Sequence, residues 1–173
     1  MLEPKPKKTT RCALTYEELK AIVDEGLLPA QRAFVEETEA KIVGMIAGFG
    51  AGKTRGLCAK VLRMAMDNPN KVGAVFEPTH QMVRDVWVKS FDEYLEEIGL
   101  EYDFRISPQP EYRLHVPGGV TTILCRATET YNRIRGQNLA FCCADEIDTS
   151  SKEVAGVKAL KKLSSNMNID ICE

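Results

Sequence analysis

Three short apolar runs punctuate the chain: "KIVGMIA" at 41–47, "KVGAVF" at 71–76 and "LAFCCA" at 139–144. Each is bounded by glycine, proline or charge and is too short for a core helix, so each reads as a buried strand. Between the first two the period becomes helical. Leu57, Val61, Leu62 and Ala65 share one face of a segment from about 53 to 66, ended by "DNPN". A longer helix is expected from Thr79 to Ile98, stopped by Gly99, with Trp87, Phe91, Tyr94 and Leu95 at core spacing.

At the amino-terminal side, Thr15 and Glu18 form a capping-box signature ahead of Leu19, Ile22 and Val23, with Gly26 as the stop. Pro29 opens a second short helix within "GLLPAQRAFVEET". Later, "EYRLHV", "PGG" and "VTTILCRAT" alternate apolar and polar residues about a turn, which predicts a β-hairpin. "SSKEVAGVKALKKLSS" predicts a closing helix. Strands alternating with helices argue for an α/β sandwich with a mainly parallel sheet, interrupted by one hairpin.

Composition narrows this picture only a little. A chain of 173 residues, 44% hydrophobic and 28% charged, can build one domain with its own core. A formal charge of −2 excludes a global basic field, so nucleic-acid contact must come from local clusters or oligomerisation. Two clusters exist. Lys5, Lys7, Lys8 and Arg11 lie in residues 1–14, which read as a disordered basic arm, and Lys158, Lys161 and Lys162 lie on the closing helix. Each is a solvated face or a contact for DNA or a neighbour.

No apolar run approaches a bilayer span and no h-region follows the amino terminus, so a cytoplasmic chain with no membrane partner is expected. The cysteines have no C-x-x-C spacing and read as buried thiols, and His80 and His115 are isolated from carboxylate clusters.

The chemistry concentrates in "IAGFGAGKT", residues 46–54, which joins the first strand to the helix at 53–66. Strand, glycine loop and helix is the order that turns consecutive backbone N–H groups around an anion at a helix amino terminus. Glycines at 48, 50 and 52 permit the positive φ angles such a loop needs. Ala47 stands where the G-x-x-x-x-G-K-[ST] pattern asks for glycine, and a small residue still fits at that entrance. Gly48, Phe49, Gly50, Ala51, Gly52, Lys53, Thr54 and Arg55 are therefore the candidate nucleotide-binding positions. Lys53 is expected to reach the β- and γ-phosphates of a nucleotide, and the Thr54 hydroxyl to hold Mg2+.

A second signal follows the third strand. Asp145 and Glu146 end "LAFCCADEID", where one carboxylate can hold the Mg2+ water shell and the next can polarise an attacking water. A capped helix start at "DEIDTSS" explains the same acids without catalysis. Given the second acid, Glu146, the pattern favours hydrolysis over a phosphoryl transferase, which must keep activated water away from its phosphoryl group.

With these pieces in order, the chain resembles the ATPase domain of the large terminase subunit, the DNA-packaging motor of tailed bacteriophages. The likeness rests on "LLPAQRAF", "AGFGAGKT", "AVFEPTHQMVRDVW" and "IRGQNLAFCCADEID", spanning most of residues 27–150. It implies a P-loop NTPase sandwich of the ASCE type, with a helical segment at 15–40 supplying an adenine-side contact and the ATPase core at 41–173. It implies Gln31 as the adenine-recognising glutamine, Lys53 and Thr54 as phosphate and Mg2+ ligands, Asp145 as the Mg2+-side carboxylate and Glu146 as the catalytic base. Arg135 falls where some members carry an arginine finger, with Arg133 as the alternative. The implied partners are double-stranded DNA, the portal protein and procapsid, the small terminase subunit and further copies in a ring, in the host cytoplasm.

Two departures from the family pattern stand out. Phe49 occupies the loop position where many relatives keep an arginine, and the chain ends 27 residues after Glu146. That is short of the coupling segment and nuclease domain the resemblance implies, as in a truncated piece, a gene fragment or one part of a split subunit. The strand after the acidic pair is then expected to be missing, leaving a gap or bare edge in the sheet, and the isolated chain to hydrolyse ATP weakly or only when assembled. A small P-loop kinase and a catalytically idle nucleotide-binding module remain the competing readings.

Overall fold

The computed structural model describes residues 14–48, 50–129 and 138–146, and the backbone of 168–172. The basic arm, Phe49, Arg133, Arg135, the closing helix and its lysine cluster lie outside the described residues. The first helix, α1 (Tyr16–Glu25), opens on the Thr15–Glu18 capping box, with reciprocal bonds between the two residues, and ends at Gly26. The second, α2 (Pro29–Glu36), carries its proline at the first turn, where the missing N–H costs nothing. Strand β1 (Ile42–Met45) runs into the glycine loop and α3 (Lys53–Asp67).

Strand β2 (Val72–Glu77) is followed by one helical stretch of changing pitch. It starts as α4 (His80–Met82), widens to a π-helical turn (Val83–Trp87) and continues as α5 (Val88–Ile98). Gly99 ends it at φ 70°, the left-handed conformation that glycine adopts at little cost. Three strands follow: β3 (Tyr102–Arg105), β4 (Glu111–Val116) and β5 (Gly119–Ala127). Opposite pairing of Val116 with Gly119 leaves a two-residue turn in the expected hairpin. The last described elements are β6 (Phe141–Ala144) and β7 (Asn168–Cys172).

The seven described strands form one mixed sheet in the order β1-β7-β6-β2-β5-β4-β3. The pairs from β1 to β5 in this order are parallel, and β5-β4 and β4-β3 are antiparallel. The fold is thus α/β with a mixed sheet and flanking helices. Three features depart from the sequence reading. First, β3 extends the hairpin into a three-stranded antiparallel edge, its alternation of Tyr102 and Phe104 too short to stand out.

Second, β1 is not buried as its apolar composition predicts. Among the described strands it pairs on one side only, Ile42 is 50% exposed, and Ile46 just beyond its end is 83% exposed. Third, β7 lies between β6 and β1 and pairs with both, so the gap expected beside the acidic strand is filled.

The main core lies on the face where α1, α2, α3 and α5 pack. It joins Leu19, Val35, Leu57, Leu62, Trp87, Phe91 and Leu95 to Tyr112, Ile123 and Phe141 of the strands. Full burial of side chains of this size is worth about 1.5–3 kcal/mol each. A smaller cluster on alternate strand positions, including Ala74, Phe76, Leu124 and Cys142, occupies the opposite face. Both faces of β2 and β6 are therefore buried, which explains their uninterrupted apolar sequences. The ends of these strands become the floor of the site.

Candidate functional site

A parallel strand pair must release its chain at the same end, and β2 and β6 do so one beside the other. Phe76 is level with Ala144, and the Asp145 N–H donates to the Phe76 carbonyl at 3.0 Å. The residues just beyond, Glu77 on β2 and Asp145–Glu146 after β6, meet at the carboxyl edge of the sheet. Together with the glycine loop they line a cavity of about 440 Å³. Met82 and Val86, presented from α4 and the π-helical turn, form its apolar wall. Crevices at strand carboxyl ends are the usual ligand sites of open α/β sheets, and π-helical turns recur beside functional sites.

The glycine loop contributes the opposite rim. Gly50 and Gly52 adopt φ of 75° and 78°, the left-handed region, while Gly48 does not. Of the three loop glycines that permit positive φ, two adopt it. Gly48 instead accepts a hydrogen bond from the Ala51 N–H at 3.3 Å, closing the turn. Gly52 caps α3, so the first N–H groups of that helix face the cavity end, where a helix dipole favours an anion. The Lys53 ammonium donates to the Ala47 carbonyl at 2.9 Å, so the residue at the loop entrance holds the lysine across the loop.

Thr54 and Asp145 are brought together from 91 residues apart, the threonine hydroxyl donating to Asp145 Oδ2 at 3.4 Å. A hydroxyl beside a carboxylate, both oxygen donors, suits a hard divalent cation that retains part of its water shell. Burial raises the Asp145 pKa above the ordinary carboxylate value and the Glu146 charge adds to this, while the Glu146 N–H, Thr54 and Lys53 pull it down. Glu146 donates its N–H to Asp145 Oδ1 at 3.0 Å and sits at φ 48°. A non-glycine residue in that region is strained by about 1–3 kcal/mol, a cost met most often where side-chain direction matters.

Gln31 and the Arg55 side chain lie outside the residues that line the cavity. Gln31 is only 2% exposed and lies under the loop. Its Oε1 accepts from the Leu28 N–H at 2.8 Å and its Nε2 donates to the Gly52 carbonyl at 2.8 Å. The two bonds tie Leu28 to Gly52 through the amide, so Gln31 positions the loop, and one N–H and one oxygen lone pair of the amide are not used by these two bonds. The Arg55 guanidinium turns away from the cavity altogether. It forms a two-pronged pair with Glu97 at 2.7 and 2.8 Å and lies over the Tyr94 ring. The charge of Glu97 on α5 captures it, leaving only its backbone near the loop.

Glu77 is the residue that the sequence reading passed over. It ends an apolar run immediately before Pro78, and an acid closing a buried strand is the same signal that drew attention to Asp145. It is 1% exposed, and neither carboxylate oxygen has a hydrogen-bond partner. Burial first, and then the charges of Asp145 and Glu146, push its pKa up to about 8. Among the described residues, no group of three or more histidine, cysteine, aspartate or glutamate side chains is placed to hold a metal ion unaided.

With this geometry in place, comparison with known proteins identifies the family. The model for the terminase large subunit, T4likevirus-type, N-terminal, matches residues 45–167. The chain belongs to this terminase family. No curated protein matches it significantly. The large terminase from a thermophilic bacteriophage shares the fold, with a TM-score of 0.65 over 89% of this chain and 12% identity. The chain spans 37% of the length of that terminase.

A structure of the same phage's terminase in complex with ATP-gamma-S superposes with a TM-score of 0.67 at 15% identity, over 83% of this chain and 37% of that one. The large terminase ATPase domain of Thermus phage P74-26 gives 0.58 at 16% identity, over 87% of this chain and 66% of that one. At these identities the likeness establishes the terminase fold alone. No helix among the described residues is long and apolar enough to cross a membrane.

Proposed function

We propose that the chain is the ATP-hydrolysing motor domain of a viral terminase, a P-loop NTPase of the ASCE type that drives double-stranded DNA into a procapsid. The observation that carries this reading is the meeting of the glycine loop, Thr54 and the Asp145–Glu146 pair around one cavity. Lys53 and the amino-terminal N–H groups of α3 hold the phosphates, and Thr54 with Asp145 holds the Mg2+ that accompanies ATP. Bound there, Mg2+ supplies positive charge to the phosphate oxygens.

Glu146 accepts a proton from water as the water oxygen bonds to the γ-phosphorus. The bond from that phosphorus to the bridging oxygen breaks, and ADP takes the electron pair. The apolar wall of Met82 and Val86 limits competing water. Arg135, outside the described residues, is the proposed arginine finger and acts on a neighbouring subunit's nucleotide in a ring. The small subunit, portal and procapsid are the proposed partners, in the host cytoplasm.

The test is phosphate release by the chain with Mg2+ and ATP, alone and with DNA and portal. Slow turnover alone, rising on assembly and abolished by Glu146→Gln, is the expected result. Turnover indifferent to Glu146→Gln would overturn the assignment. Transfer of the phosphoryl group to a nucleotide acceptor would establish a kinase instead.

A further inference from the structure

The acids in the cavity outnumber those that the proposed reaction uses. Asp145 has the Thr54 hydroxyl and the Glu146 N–H, and Glu146 is accounted for as the base. Glu77 is left over. It lines the same cavity from the neighbouring strand, fixed there by the β2–β6 register, and both oxygens of its buried carboxyl lack a partner. Native chains rarely bury a polar side chain unsatisfied, and where they do, the missing partner commonly comes from water, an ion or a ligand. The cavity supplies the space for such a partner, and no described side chain supplies the bonds.

We infer that Glu77 is a positioning residue for the nucleotide's divalent cation, accepting hydrogen bonds from the waters that the cation keeps after Thr54 and Asp145 engage it. The inference rests on the nucleotide reading of the cavity. Direct ligation is disfavoured because the three acids do not converge as an ion-holding group. A water-mediated contact suits the cation, since Mg2+ gives up its hydration shell reluctantly. Outer-shell carboxylates of this kind orient the inner ligands and typically contribute about 10–100-fold to metal affinity. The Glu77 carboxylate thereby tunes how much the metal adds to nucleotide binding, without touching the nucleotide.

Calorimetric titration of ADP into the full chain, with Mg2+ and with a chelator, tests this. In the native chain Mg2+ is expected to tighten ADP binding. Glu77→Gln keeps the shape of the side chain and removes its ability to ionise when the cation arrives, so it should reduce that Mg2+ enhancement about tenfold and leave metal-free ADP affinity unchanged. Glu77→Asp, which retains the charge on a shorter arm, should fall between the two, and thermal melting of each variant reports whether it is folded. An Mg2+ enhancement within about twofold of the native value in folded Glu77→Gln, against the larger change expected of an outer-shell partner, would overturn the inference while leaving the nucleotide reading intact. A native chain that binds no ADP would overturn that reading, and the inference with it.

Discussion

The two rims of the cavity are built on opposite plans. On the loop rim, polar groups are engaged by the chain itself: Gln31 holds the Gly52 carbonyl and Lys53 rests on the Ala47 carbonyl. On the acidic rim, Asp145 has two protein donors and Glu77 has none. The loop rim is therefore shaped before any ligand arrives, which reduces the ordering that binding must impose. The acidic rim stores an electrostatic cost that an incoming cation can relieve. Changes to the loop rim should thus cost stability, and changes to the acidic rim should cost chemistry or even add stability.

The largest effect is expected at Glu146. Removing a general base costs about 10²–10⁴ in rate, so Glu146→Gln should abolish measurable hydrolysis by the assembled protein while ADP binding, measured by calorimetry, persists. Loss of binding together with turnover would place Glu146 among the structural residues and blur the contrast between the rims.

Glu77→Gln should act in the opposite sense on the nucleotide-free chain. The folded pKa of about 8 lies above the ordinary value of 4.5, so the native state holds the proton more tightly than the unfolded chain does. Stability is then full below about pH 4.5 and is lost as pH rises through the folded pKa. The variant should remove that pH dependence and gain on the order of a few kcal/mol at about pH 8, and much less at about pH 5. Melting temperatures of both proteins across this range check it, and parallel curves would show that Glu77 is not the source.

Gly52→Ala tests the loop rim. Its φ of 78° is left-handed, and an added Cβ would lie 2.6 Å from Gln31 Nε2. A loss of about 1–3 kcal/mol is expected in denaturant unfolding, together with weaker nucleotide binding. Unchanged stability would show that the loop is not held as described. The smallest effect belongs to Arg55→Ala, outside both rims. Its exposed pair with Glu97 should contribute at most about 1 kcal/mol and leave nucleotide affinity unaltered.

The loop rim, like several elements away from the cavity, was legible in the sequence because its signals are local. A glycine loop between an apolar run and a helical period, the Thr15–Glu18 capping box and the Pro117–Gly118 turn each declare themselves within a few residues. The acidic rim depends on strand order, which no local pattern states. That Glu77 stands beside Asp145 follows from the pairing of β2 with β6, and from nothing in either segment alone. The same limit hid the exposure of β1, since "KIVGMIA" looks the same at an edge or in the middle of a sheet. It also hid the capture of Arg55 by Glu97, 42 residues away.

The central claim, that the cavity is a cation-dependent nucleotide site with its phosphate grip on the loop rim, meets its most direct test in one binding measurement. ATP-gamma-S is titrated with Mg2+ into the native chain and into Lys53→Ala. The account predicts saturable one-site binding to the native chain and a loss of at least about tenfold in affinity in the folded variant, the scale of one charge-assisted hydrogen bond. Equal affinity for both proteins, or no binding to the native chain, would contradict it.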